Sequence, residues 1–130
     1  MGFDQYHEPA DELPADVRTF ARINASLTEE AEALGWYQQR LAVEPDPEAR
    51  AIMADAQGEE FKHFAMNLEF LFRRVPKWRE IARGVLFQDG DIVENAEAAE
   101  AAVNDEGEPA AAAAADPFGS LGIGDLKGRP

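Results

Sequence analysis

Residues 59–64 read Glu59-Glu60-Phe61-Lys62-His63-Phe64. Within them, Glu60 and His63 form a Glu-x-x-His pair inside a long run of helical periodicity. At about 3.6 residues per turn, positions three apart share one helix face. A carboxylate and an imidazole so placed can grip one metal ion between them. On a solvent-facing helix the same pair is ordinarily just hydrated, so the surrounding chain decides its meaning.

The surrounding pattern is apolar. Around the pair, Ala49, Met53, Ala56, Phe64, Asn67 and Leu71 make one stripe, with Ile52 and Leu68 on its flanks. Glu60 falls at its centre and His63 beside it. Asp46 suits an N-cap and Pro47 a first helical position, and Val75-Pro76 ends the pattern after Arg74. The preceding segment repeats the arrangement. From Pro14 to about Ala42, Ile23, Leu27, Leu34, Tyr37 and Leu41 form a stripe in which Glu30 occupies the missing position. Phe20 widens its flank, and Glu44-Pro45-Asp46-Pro47 ends the helix. A carboxylate in a seam of this kind costs several kcal/mol unless it finds a metal, an Arg or water, or takes up a proton. Phe61, Phe72 and Trp36 point away from these stripes, which predicts either a second packing surface or cover from a third helix.

The third helix is short, about Pro76 to Phe87, with Trp78, Ile81, Val85 and Leu86 for packing. Residues 88–117 then carry nine acidic side chains and no Lys or Arg. Their alanines favour helix, but few large apolar groups are left to bury, so the expectation is a disordered acidic linker over 89–117, with helix in part of it as the alternative. After Ile92, Val93 and Val103, large apolar residues gather again in the last thirteen positions, with Phe118, Leu121, Ile123 and Leu126 among glycines. An apolar patch on a long tether reads as a docking peptide. The expected organisation is an irregular segment over 1–12, a helical hairpin domain over 13–88, the linker, and a peptide over 118–130.

The totals narrow the partners. The chain has 130 residues, one domain's worth, and a formal net charge of -14. That charge disfavours nucleic acid and anionic membrane as partners. No cysteine is present, so thiolate zinc sites, iron–sulfur clusters and disulfides are excluded. Residues 1–13 lack a signal-peptide core and no apolar run reaches membrane-spanning length, which makes a cytoplasmic protein the expectation.

Two long helices and a short third cannot cover stripes this wide, so self-association is expected. The ligand set asks for the same. Di-metal carboxylate bundles use a Glu-x-x-His motif from each of two helices and a Glu from each of two others. This chain has one of each kind, and two hairpins across a two-fold axis would supply the whole set. The expected fold is all-α: an antiparallel two-helix hairpin plus a short third helix, dimerising into a four-helix bundle. Carboxylates and imidazoles with open positions suit Fe(II) or Mn(II) better than structural zinc. The residues alone leave open an iron-oxidising site, a di-manganese or peroxide-handling site, and a non-catalytic helical adaptor with a structural cluster.

Several stretches carry a family likeness. They are His7-Glu8-Pro9, Glu29-Glu30-Ala31-Glu32-Ala33 with Trp36-Tyr37-Gln38-Gln39-Arg40, Glu59-Glu60-Phe61-Lys62-His63 with Met66 and Leu68-Glu69, and the tail Ser120-Leu121-Gly122-Ile123-Gly124-Asp125-Leu126-Lys127. Together they resemble the encapsulated ferritins, cargo proteins of bacterial encapsulin shells. The resemblance implies a ferroxidase whose di-iron ligands are Glu30, Glu60 and His63 from both subunits of a dimer, with Tyr37 beside the irons. It implies metal-access and secondary positions at Glu29 and Glu32, which hold calcium or another divalent ion, gated by Trp36. It further implies a ring-shaped decamer of five dimers and a tail that docks to the encapsulin shell, placing the protein inside that nanocompartment. The chain departs from the family pattern at Gly35, Asp55, Gly58 and Asp125, none of them a ligand.

Overall fold

The structure, a computed structural model, describes residues 5–106. Four helices follow in order: α1 (Ala15–Val43), α2 (Pro47–Arg74), α3 (Pro76–Arg83) and α4 (Ile92–Glu106). No strand occurs among the described residues. None of their helices is long and apolar enough to cross a membrane. The chain forms two compact units, one ending at Leu71 and the other starting at Phe72, with α2 continuous through the boundary.

In the first unit, α1 and α2 are antiparallel. Arg50 donates to the Leu41 carbonyl, Gln57 to the Leu34 carbonyl at 3.3 Å, and His63 approaches Glu30. Each step up α2 is therefore a step down α1. The turn between them is built by capping. Glu44, at the end of α1, donates its N–H to the Arg40 carbonyl, and Pro45 cannot continue the helix. Asp46 Oδ1 accepts from the Ala49 N–H at 2.8 Å, the expected N-cap bond. Arg50 also donates to the Glu44 carbonyl at 3.3 Å, so one guanidinium closes the last carbonyls of α1.

Burial within one chain is thin. Ala25, Leu71 and Phe72 are the buried apolar residues among those described. The stripe residues Ile23, Leu27, Leu34, Tyr37, Leu41, Met53 and Phe64 are only half-buried. Ile52, Phe61 and Met66 stay 66 %, 58 % and 61 % exposed, leaving apolar surface for something else to cover.

In the second unit, Phe72 meets Trp78 of α3 edge-on, ring centroids 5.0 Å apart. Of the aromatics expected off the main seam, Phe72 is thus covered by the third helix, while Phe61 and Trp36 remain exposed. Pro76 opens α3, as the spacing predicts, but the helix ends at Arg83 instead of continuing to Phe87. Gly84 to Phe87 form turns, and Phe87 takes φ 61°, a left-handed value that ends helix geometry.

The expectation of a disordered linker over 89–117 is corrected at Ile92–Glu106, which forms α4. Asp91 Oδ1 caps α4 by accepting from the Glu94 N–H at 2.9 Å. The helix packs on α3. Small residues make this possible: a Cβ on Gly84 would stand 2.4 Å from the Ala99 Cβ, so the glycine is what lets the two elements touch. The remaining expectation for the tail, with Leu121, Ile123 and Leu126, lies outside the described residues.

This close approach is testable. Gly84→Ala should push α4 from α3 and lower amide-exchange protection over residues 92–106. Adding Ala99→Gly should restore it.

Candidate metal centre

Glu30 sits mid-way along α1, and Glu60 and His63 one turn apart on α2. The antiparallel register brings them to one level. His63 Nδ1 lies 3.2 Å from Glu60 Oε2 and 3.9 Å from Glu30 Oε1. One ligand atom from each of the three falls within 4.8 Å of the others. Glu30 and Glu60 side chains are each 21 % exposed and His63 43 %, so the cluster is half-buried with an open side.

A side-chain hydrogen bond to Glu60 raises the Glu30 pKa above the ordinary carboxylate value, and burial and the Glu60 charge add to the effect. The same bond, with one from His63, holds Glu60 below that value. The two carboxylates are thus driven apart in proton affinity, with Glu30 the first of the pair to take up a proton as pH falls. Two acceptor carboxylates and an imidazole, all oxygen or nitrogen donors with no thiolate, suit a divalent first-row ion that tolerates open positions. An ion there would offset the like charge of the two carboxylates.

The structure brings Glu30, Glu60 and His63 together in one group, of which the other expected site residues are not members. Tyr37, two turns beyond Glu30 and half-buried, has the Arg40 guanidinium 5.3 Å from its ring centroid. Glu29, Glu32 and Trp36 are exposed on α1. Next to the cluster, Lys62 pairs with Glu59 and lowers the Glu59 pKa. The sequence reading overlooked Gln57, whose amide bonds across the hairpin one turn from the cluster. Its place three residues before Glu60 was the available signal.

A match to the EncFtn-like family spans residues 5–89, well over half of the chain and all three clustered residues. The chain belongs to the EncFtn-like family. An encapsulated ferritin-like protein of Rhodospirillum rubrum is 43 % identical over 122 residues, covering 94 % of this chain and 87 % of that protein. A ferritin-like protein of Thermotoga maritima is 46 % identical over 91 residues, 70 % of this chain and 80 % of the relative. The crystal structure of protein ne0167 from Nitrosomonas europaea superposes with a TM-score of 0.66 at 38 % identity. That match covers 68 % of this chain and 98 % of the other. Helix α4 lies beyond the residues matched to the EncFtn-like family.

The raised Glu30 pKa sets a pH dependence. Because an ion binds the ionised carboxylate, metal affinity should fall as pH drops through the Glu30 pKa, by about tenfold per pH unit while one proton is exchanged. Calorimetric cobalt(II) titration from mildly acidic to neutral buffer measures that slope. Glu30→Gln removes the like-charge contact with Glu60, so it should raise the Tm of metal-stripped protein while weakening uptake.

Proposed function

We propose that this protein is a ferroxidase: it takes up Fe(II) as substrate between two copies of the chain, and dioxygen oxidises it to Fe(III). The observation that carries the reading is the cluster of Glu30, Glu60 and His63, half of a di-metal carboxylate set on an open face. The stripes left half-buried around it support a second copy as the other half. Membership of the EncFtn-like family and the names of its relatives support a ferritin-like, iron-related function and association with an encapsulin shell.

Iron, when bound, supplies the electrons that reduce dioxygen. The protein's groups prepare that event. Glu30 and Glu60, doubled by the second copy, offer four carboxylates, which balance two divalent ions. Glu30, whose pKa is raised, would hold an ion in its ionised form. His63, beside both carboxylates, would add an imidazole nitrogen to the set. Tyr37 lies along the same seam, and Glu29, Glu32 and Trp36 line the approach from solvent, with the two carboxylates drawing in divalent cations such as Fe(II) or calcium. Two-fold pairing completes the four-helix bundle, and the dimers assemble further into a decameric ring.

Residues 118–130 act as the tether's docking peptide. Leu121, Ile123 and Leu126 meet an apolar groove on the inner face of the shell, which receives the ferric product for mineral storage. Several tails per oligomer add their contacts through effective concentration.

Anaerobic Fe(II) loading followed by air tests the chemistry, with oxygen uptake and native mass recorded together. Wild type should consume oxygen and carry iron only as a dimer or larger. Glu30→Ala, Glu60→Ala and His63→Ala should each abolish uptake while keeping most helix content. Iron-bound monomer, or full oxidation in two of the three variants, would overturn the reading. Deleting 118–130 should abolish co-purification with the shell and leave oxidation intact.

A further inference from the structure

Gln57 belongs to no ligand set, yet it makes the hydrogen bonds that tie α1 to α2 closest to the cluster. Its Nε2 donates to the Leu34 carbonyl at 3.3 Å and to Gln38 Oε1 at 3.1 Å. Leu34 follows Glu30 by one helical turn, and Gln57 precedes Glu60 by about one turn. The bridge thus spans the hairpin one turn from the three ligands, on the side of the connecting loop.

Both helices are weak at this level. Gly35 follows Leu34, and Gly58 follows Gln57. Glycine inside a helix lowers its stability relative to alanine, because more backbone freedom must be lost. Neither glycine is required by packing: a Cβ at either position would meet nothing within 4 Å. The next polar tie towards the loop is Arg50 on the Leu41 and Glu44 carbonyls, two turns further along α2. Half-buried apolar contacts alone set the helix separation loosely, since they have no preferred direction. A donor shared between two acceptors on the facing helix fixes both distance and register.

We infer that Gln57 is a positioning residue: its bridge to Leu34 and Gln38 holds Glu60 and His63 against Glu30 across a level that Gly35 and Gly58 leave soft. The inference rests on the proposed metal site. Gln57 touches no metal ligand, and its effect passes through the spacing of the two helices. Ligand geometry held by outer contacts commonly changes metal affinity by about tenfold or more when those contacts are removed.

The test uses the full chain and cobalt(II), whose visible absorption reports coordination geometry. Gln57→Met keeps length and removes both hydrogen bonds. It should weaken cobalt binding on the order of tenfold and alter the visible spectrum, with helix content unchanged. Gln38→Met, at an exposed position, should give a smaller loss in the same direction and add nothing in the Gln57→Met background. Gly35→Ala with Gly58→Ala should stiffen both helices and restore most of the affinity to Gln57→Met. Wild-type affinity and spectrum in Gln57→Met overturn the inference alone, as does an equal loss in the alanine background. Wild-type protein that binds no cobalt overturns the metal site and the inference with it. If Gln57→Met does not fold, the Gln38→Met result decides: no loss of affinity there overturns the inference.

Discussion

Two carboxylates and an imidazole in an apolar helix seam need a counter-charge, and the first unit is arranged around that requirement. A side-chain hydrogen bond between Glu30 and Glu60 raises the pKa of the first and lowers that of the second, while His63 bonds to Glu60. A proton or a cation at this pair would offset like charge that the seam stabilises poorly. A cluster optimised for stability alone would carry leucine at these positions. At the centre of both stripes the three groups could instead hold a metal ion.

The same seam explains why a single chain looks unfinished. A stripe wide enough to face two neighbours meets only one within the hairpin, so its apolar residues remain half-buried and the cluster keeps an open side. Apolar burial and ligand number are incomplete together, and one event, the approach of a second copy, would complete both. Association and metal binding then share one free energy. Around this seam the hairpin is held by directional groups: Asp46 and Arg50 at the turn, and Gln57 near the ligands. Those bonds set register where thin apolar packing leaves it loose.

The second unit follows a different logic. Phe72 and Trp78 bury aromatic area through an edge-on contact. Helix α4 instead packs through small residues at Gly84 and Ala99. Its acidic side chains, Glu94, Glu97, Glu100 and Asp105, are exposed. Close backbone approach substitutes here for large side chains, and that contact is easily disrupted by one added methyl group.

Local chemistry was legible without coordinates. Proline placement and the Asp46 cap bounded α1 and α2 to within a residue, because caps and breakers act over one turn. Spacing named Glu30, Glu60 and His63, since a polar group at the centre of an apolar stripe is visible in one dimension. What required the tertiary structure was every effect depending on a distant partner. Helix α4 was hidden because alanine-rich, acidic sequence has no large apolar stripe, and its stability comes from a surface on α3. The early end of α3 follows from the turn that Phe87 and Gly90 make to bring α4 back. The opposed pKa shifts of Glu30 and Glu60 and the Gln57 bridge depend on distances between two helices, and those distances are set by packing across residues far apart in the chain.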